Sequence, residues 1–135
     1  MVYFDTSILL AILFKEKSLS KALDFWESSP QRVSSILLEI ESLAVIRRVQ
    51  NKAKVLMLEK LLQDLLKEIE LKILDLEIRK VVLENIKLDS LKSLDMIHLA
   101  TALFFRENVD EPILFCSFDE ALIQKANALN FQCLK

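Results

Sequence analysis

Glycine is absent from all 135 residues. A loop that cradles phosphate against bare backbone needs glycine, so neither a P-loop nor a dinucleotide-binding turn can exist in this chain. Cysteine is scarce: Cys116 and Cys133 stand far apart with no second pair to complete a zinc site, and they read as buried thiols. Proline occurs twice, where Ser29-Pro30 breaks one helix and Pro112 precedes a strand. Long apolar runs are missing, since charges interrupt every stretch before it could span a membrane. The N-terminal apolar run has neither a basic lead nor a small-residue cleavage site, so a cytoplasmic location is expected. Positive charge is not in excess either: 18 basic against 20 acidic residues give a net charge of −2. That argues against bulk, sequence-independent DNA binding through a basic surface. It leaves room for an enzyme that handles phosphates through clustered acids and bound cations.

What is present is a hydrophobic chain, 53% apolar, long enough to close one core, so residues 1–135 are read as a single domain. Val2-Tyr3-Phe4 is a short β-prone run that ends in Asp5. Thr6-Ser7 then opens an apolar helix over 8–14, with one of these hydroxyls as its cap. Ser18 or Ser20 caps a second helix carrying Ala22, Leu23, Phe25 and Trp26. A very short strand at Val33 precedes a long helix from Ile36 to about Val49, started by Ser34 or Ser35. The next helix runs from Asn51 to Ile69 and buries Val55, Leu56, Leu58, Leu61, Leu62, Leu65 and Leu66. Leu71–Leu74 is a strand, and Glu77–Leu83 a short helix. Ser90 or Ser93 caps a helix reaching Arg106. Ile113–Cys116 is a strand, Asp119 or Ser117 opens a last helix through Leu129, and Phe131–Leu134 forms an edge strand. Short strands alternating with helices predict an α/β fold, a parallel sheet flanked by helices.

Most of the acids are expected at the surface, but four stand out by context. Asp5 and Asp119 each follow a strand, with Ser117 two residues before Asp119. If both strands are central and parallel, both acids sit at the sheet edge where ligands bind. Each could instead simply cap a helix. On the helix 36–49, Glu39 and Glu41 compete, because they point roughly 200° apart. Glu41 shares its sector with Leu37, Leu38, Ala44 and Val45, where a carboxylate needs a compensating partner. A bound cation is one candidate and Arg48 another, so Glu41 is favoured over Glu39. Asp95 opens an almost wholly apolar helix, where the dipole favours an acid and where a metal ligand would also project. His98, one turn on, is read as a satisfied structural residue rather than a ligand.

Together these stretches resemble the PIN domain, in the small form typified by the VapC toxins of toxin–antitoxin pairs. Val2 to Leu9 resembles the opening strand–Asp–Thr/Ser–Ser motif of that family. Ser34 to Glu41, followed by Arg47-Arg48, resembles its Ser-to-Glu helix. Ser93-Leu94-Asp95-Met96-Ile97-His98-Leu99-Ala100-Thr101-Ala102 resembles its third motif most specifically, and Ser117-Phe118-Asp119-Glu120-Ala121-Leu122 resembles the last. Asn130 stands where the family often has a helix-ending glycine, a conformation that Asn also tolerates. The resemblance implies a three-layer α/β/α sandwich with a short, mainly parallel sheet. It also implies a Mg²⁺- or Mn²⁺-dependent endoribonuclease whose ligands are Asp5, Glu41, Asp95 and Asp119, supported by Thr6, Ser7 and Ser117.

Oxygen ligands suit hard divalent ions, and crowded carboxylates need such a cation to stay ionised together. Positive charge for an RNA backbone is thin: Arg47, Arg48, Lys52 and Lys54 gather at one helix end, and Lys92 lies near Asp95. Cations also favour a helix C-terminus for electrostatic reasons alone. The helices over 8–30 and 36–69 carry more apolar surface than one small domain uses, which predicts a homodimer face, an antitoxin groove or both. The rival reading is a catalytically silent PIN-like scaffold that binds protein or RNA. A receiver domain fits poorly, because paired acids after the first strand and a lysine after Cys116 are both missing.

Overall fold

The computed structural model describes residues 1–134. Five parallel strands form one sheet: β1 (Val2–Phe4), β2 (Arg32–Ser35), β3 (Glu70–Lys72), β4 (Leu114–Cys116) and β5 (Gln132–Cys133), in the order β3-β2-β1-β4-β5. The helices are α1 (Thr6–Leu13), α2 (Leu19–Glu27), α3 (Leu37–Ile46), α4 (Lys52–Leu66), α5 (Leu76–Glu84), α6 (Ser93–Asn108) and α7 (Glu120–Ala128), with a 3₁₀ turn at Ile86–Leu88. This is the expected three-layer α/β/α sandwich. Because β1 is central and buried on both faces, all three of its side chains are apolar in character. Val2 and Phe4 face one layer, with residues of α1 to α4. Tyr3 faces the other, with residues of α5 to α7. β4 repeats the division in register: Phe115, opposite Tyr3, stacks on it at 5.3 Å, and Cys116 lies with Phe4. Burial pushes the Cys116 thiol up, consistent with an inert core cysteine.

Chain order turns around β1. The connection through α1 and α2 runs to β2 on one side, whereas β4 arrives on the other. A crevice therefore opens at the carboxyl ends of β1 and β4, the position that open parallel sheets reserve for ligands.

Several boundaries differ from expectation, each for a local reason. Asp5, not Thr6 or Ser7, caps α1, its carboxylate accepting from the Ser7 amide. α3 is shorter than 36–49, and the Ser35 hydroxyl accepts from the Leu37 amide at 3.1 Å. β3 leaves the sheet at Lys72 because Asp75 caps α5, so Ile73 and Leu74 are exposed rather than paired. Neither Ser90 nor Ser93 caps α6: Ser90 sits in a left-handed turn, Ser93 is already helical, and Lys92 precedes it without a side-chain cap. On α4 only Leu58 and Leu62 are fully buried, while Leu56 is 68% exposed and Leu61 lies at the rim. Leu56 stands two residues from Leu58, roughly 200° round the helix, and so points away from the core. Met57 and, on α3, Ile40 join the exposed apolar side chains of this half of the molecule. Among the described residues no helix is long and apolar enough to cross a membrane.

Without glycine, left-handed positions fall to residues that carry side chains: Lys15, Ser90 and Asn130 have φ of 48°, 68° and 64°. Asn130 ends α7 in a Schellman arrangement. The Phe131 amide donates to the Ala126 carbonyl at 3.0 Å and the Asn130 amide to that of Asn127 at 2.9 Å. Asn130→Gly is expected to leave the melting temperature equal or slightly higher. Asn130→Val should cost about 1–2 kcal/mol, since a β-branched side chain resists this conformation. Urea unfolding of the two variants checks both.

Candidate active site

Asp5, Thr6, Ser7, Glu41, Asp95, His98 and Asp119 line one cleft of ≈ 260 Å³ at the β1/β4 crevice, with Leu10, Val45, Leu94 and Leu122 as its apolar rim. Each acid reaches it from a different element. Asp5 follows β1 and is 5% exposed. One of its oxygens accepts from the Ser7 amide at 3.1 Å and from the Ser7 hydroxyl, and the other from the Ser117 hydroxyl at 2.8 Å. Those two hydroxyls are then spent as donors. Their lone pairs accept from backbone instead, Ser7 from the Phe118 amide at 2.8 Å and Ser117 from the Asp119 amide at 2.9 Å. The strand ends of β1 and β4 are thereby tied together through Asp5. Burial pushes the Asp5 carboxyl above its ordinary value, and the hydrogen bonds from Ser7 and Ser117 and the nearby His98 offset this only in part.

Glu41 arrives from α3. Its Oε1 accepts from the Thr6 hydroxyl at 2.7 Å and lies 2.8 Å from His98 Nε2. Burial pushes this carboxyl up, but the His98 and Thr6 hydrogen bonds more than offset it and hold it below its ordinary value. The His98 Nδ1 lies 2.7 Å from the Tyr3 hydroxyl. Burial raises the Tyr3 phenol well above its usual range, so it remains an O–H donor. With the Tyr3 hydroxyl donating to Nδ1, the Nε2–H donates to Glu41. Tyr3, His98 and Thr6 thus aim one carboxylate oxygen. Glu39, its competitor in the sequence, is not among the lining residues. The Arg48 alternative fails: Arg48 is exposed, and among the described residues no arginine pairs with Glu41.

Asp95 stands in the first turn of α6, and Lys125 of α7 reaches it, Nζ to Oδ2, at 2.6 Å. Asp119 caps α7, accepting from the amides of Ala121 and Leu122 at 3.0 and 3.2 Å with a single oxygen, Oδ1. It is exposed at the cleft mouth, so capping and lining are compatible roles. Ser117 stands behind Asp5, buried. The proposed RNA-binding cations lie elsewhere. Arg47 and Lys52 line a separate hollow with Val55 and Leu56, and Arg47 is engaged by Glu59 at 3.0 Å. Neither Arg48 nor Lys92 lines the acid cleft.

Nothing in the spacing pointed to Lys125, which lies 30 residues from Asp95. His98 is satisfied at both nitrogens, as a structural histidine should be, yet one of its partners is a cleft acid, which its place in the sequence did not reveal.

The donor set is all oxygen around one cleft, the chemistry that a hard divalent ion selects. Asp5 is the sharpest indication, a buried carboxyl whose partners only partly compensate its burial. Among the described residues, however, no three acids, histidines or cysteines stand ready-made around one ion position. Glu41 is turned to His98 and Asp95 to Lys125.

The sequence matches the PIN domain family over residues 2–128. The chain belongs to the PIN-domain family. Solved structures share its fold, among them the following two. One, a toxin–antitoxin complex from Klebsiella pneumoniae, has a TM-score of 0.62 at 21% identity and covers 84% of each chain. The other, VapBC2 from Rickettsia felis bound to a DNA fragment from its promoter, has a TM-score of 0.70 at 15% identity and covers 99% of this chain and 98% of that one. No curated protein matches the sequence. The cleft lies at the β1/β4 crevice, where acids at two strand-to-helix junctions, Asp5 and Asp119, meet acids carried on α3 and α6, Glu41 and Asp95.

Proposed function

We propose that this PIN domain is a metal-dependent endoribonuclease, the toxin of a VapBC-type toxin–antitoxin pair, which hydrolyses phosphodiester bonds in structured RNA. The observation that carries the reading is the convergence of Asp5, Glu41, Asp95 and Asp119 on a single cleft. The two toxin–antitoxin complexes that share its fold support the same assignment.

In this reading Asp5 and Asp95 would hold Mg²⁺ or Mn²⁺, and Asp119 would contribute from the cleft mouth. When bound, the ion lowers the pKa of water and neutralises charge that builds on the phosphate. Glu41 orients or activates the attacking water. Its oxygen is fixed by Thr6 and His98, and its lowered pKa keeps it ionised as a hydrogen-bond acceptor. Ser7 and Ser117 keep both Asp5 oxygens in place. The rim of Leu10, Val45, Leu94 and Leu122 limits water around the acids. With little basic surface at the cleft, selection of substrate rests on the shape of loops in folded RNA. The exposed Ile40, Leu56 and Met57 on α3 and α4 offer the apolar face that a second copy or an antitoxin segment would cover. The working compartment is the cytoplasm, where tRNA, rRNA and mRNA are found.

A pool of total tRNA and rRNA, incubated with the protein in Mg²⁺ or Mn²⁺, should yield discrete fragments that EDTA and Asp95→Asn both abolish. Equal cutting by wild type and Asp95→Asn would trace the activity to a contaminant. No cutting by folded protein free of any antitoxin would favour the silent scaffold.

A further inference from the structure

Each cleft acid has an internal partner, and only one of those partners is a fixed cation. Hydroxyls and an amide hold Asp5, Thr6 and His98 hold Glu41, and backbone amides hold Asp119. Asp95 alone is held by an ammonium, at 2.6 Å, a short charge-assisted contact. Among the described residues Lys125 is the one lysine or arginine within 4.0 Å of any of the four acids. Lys125 lies in the last turn of α7, where a cation is favourable for the helix dipole alone. A dipole role would leave the ammonium free over its own helix end. Instead it crosses to the first turn of α6, and both partners are more than two-thirds covered. An ion pair so placed is screened less than a surface one.

We propose that Lys125 is a built-in counter-ion that stands in for the divalent ion at Asp95 and sets the concentration at which that ion enters. The proposal rests on the metal-dependent reading of the cleft. Both cations use the same carboxylate, so the incoming ion must displace the ammonium or share Asp95 with it at a cost in repulsion. With the ammonium in place one of the four carboxylates is paired with a positive charge; without it, among the described residues, none of the four has a lysine or arginine partner. The same pairing is in keeping with the lack of a ready-made ligand triad among the described residues, where Asp95 is engaged by Lys125 and Glu41 by His98.

The test measures metal binding directly, with no RNA present. Mn²⁺ is titrated into purified full-length protein and free ion is followed by electron paramagnetic resonance. Lys125→Met and Lys125→Gln should each bind Mn²⁺ about five- to tenfold more tightly than wild type. Lys125→Arg, which keeps the charge, should stay near wild type. Lys80→Gln removes an equal charge from an exposed site on α5 and should also stay near wild type. Circular dichroism confirms that each variant is folded, and the Gln variant supplies a polar neutral replacement should Met disturb packing. If wild type binds Mn²⁺ and the Met and Gln variants bind no more tightly, the counter-ion role is overturned while the nuclease reading stands on EDTA-sensitive cleavage. If neither wild type nor the neutral variants bind Mn²⁺, the counter-ion role and the metal-dependent reading fall together. Tighter binding by Lys80→Gln as well would reduce the effect to net charge and overturn the assignment to Lys125.

Discussion

Asp5→Asn is expected to abolish RNA cleavage, by at least about 10³-fold, and at the same time to make the metal-free protein more stable. The two effects have one cause. Asp5 is buried, and its carboxyl is raised above its ordinary value of 3.8 chiefly by that burial. A carboxyl whose folded pKa exceeds its unfolded one binds more protons in the folded state. Its contribution to stability therefore falls as pH climbs from 3.8 through the folded pKa, and it stays low at neutral pH. Glu41 runs the other way. Its folded pKa lies below 4.5, so its contribution is present above that value and is lost as pH falls through the folded pKa. Between about pH 5 and 8 a downward slope of stability with pH is thus expected from Asp5. Asparagine removes the buried charge while its oxygen still accepts from Ser7. In EDTA near pH 7.5 the variant should melt about 3–5 °C above wild type, corresponding to about 1 kcal/mol. Added Mg²⁺ stabilises only the protein that binds it, so the gap should close or reverse. Thermal unfolding from pH 5 to 8, with and without Mg²⁺, reads both statements. A variant less stable than wild type in EDTA would mean that the Ser7 and Ser117 hydrogen bonds outweigh the burial.

The second large effect is expected at His98. His98→Leu should destabilise the protein by about 1–3 kcal/mol and slow cleavage by about 10–100-fold. The buried Tyr3 hydroxyl loses its acceptor, and Glu41 is left with Thr6 as its remaining side-chain donor. The two losses can be separated. Adding Tyr3→Phe removes the orphaned hydroxyl, so the double variant should recover part of the stability of the single one. It should not recover cleavage, because the aim of Glu41 is still lost. A double variant that regained both would assign His98 to packing alone.

The parallel sheet and the placement of Asp5 and Asp119 could be read from the sequence because each rests on local chemistry: an apolar strand, an acid that ends it, and a hydroxyl two residues away. The burial cost of a carboxylate also favoured Glu41 over Glu39, although the sector it was assigned is only partly right. Ala44 is exposed, and Ser42 turns inward with Leu38 and Ile46. What stayed hidden was pairing at a distance. Nothing in the spacing of α6 and α7 says that Lys125 meets Asp95, or that a histidine on α6 aims a glutamate on α3. The strand order was equally hidden, since helices of suitable length could place β4 on either side of β1. Periodicity assigned too many leucines of α4 to the core, because it marks which residues are apolar and not how many of them neighbouring helices cover.

The hydrogen bond from Ser117 to Asp5 spans 112 residues of chain, and that from Thr6 to Glu41 spans 35. During synthesis Glu41 can meet Thr6 early, but the Asp5 carboxylate waits for β4, and the cleft has no mouth until Asp119 follows. A nascent chain therefore lacks the full set of four acids until almost the whole domain has emerged. If the cleft cuts RNA, the ribosome that makes this protein, itself largely RNA, is spared a working blade while most of the domain is still being translated. Contacts of such long range also fold slowly, which lengthens the interval in which a partner synthesised alongside could bind first.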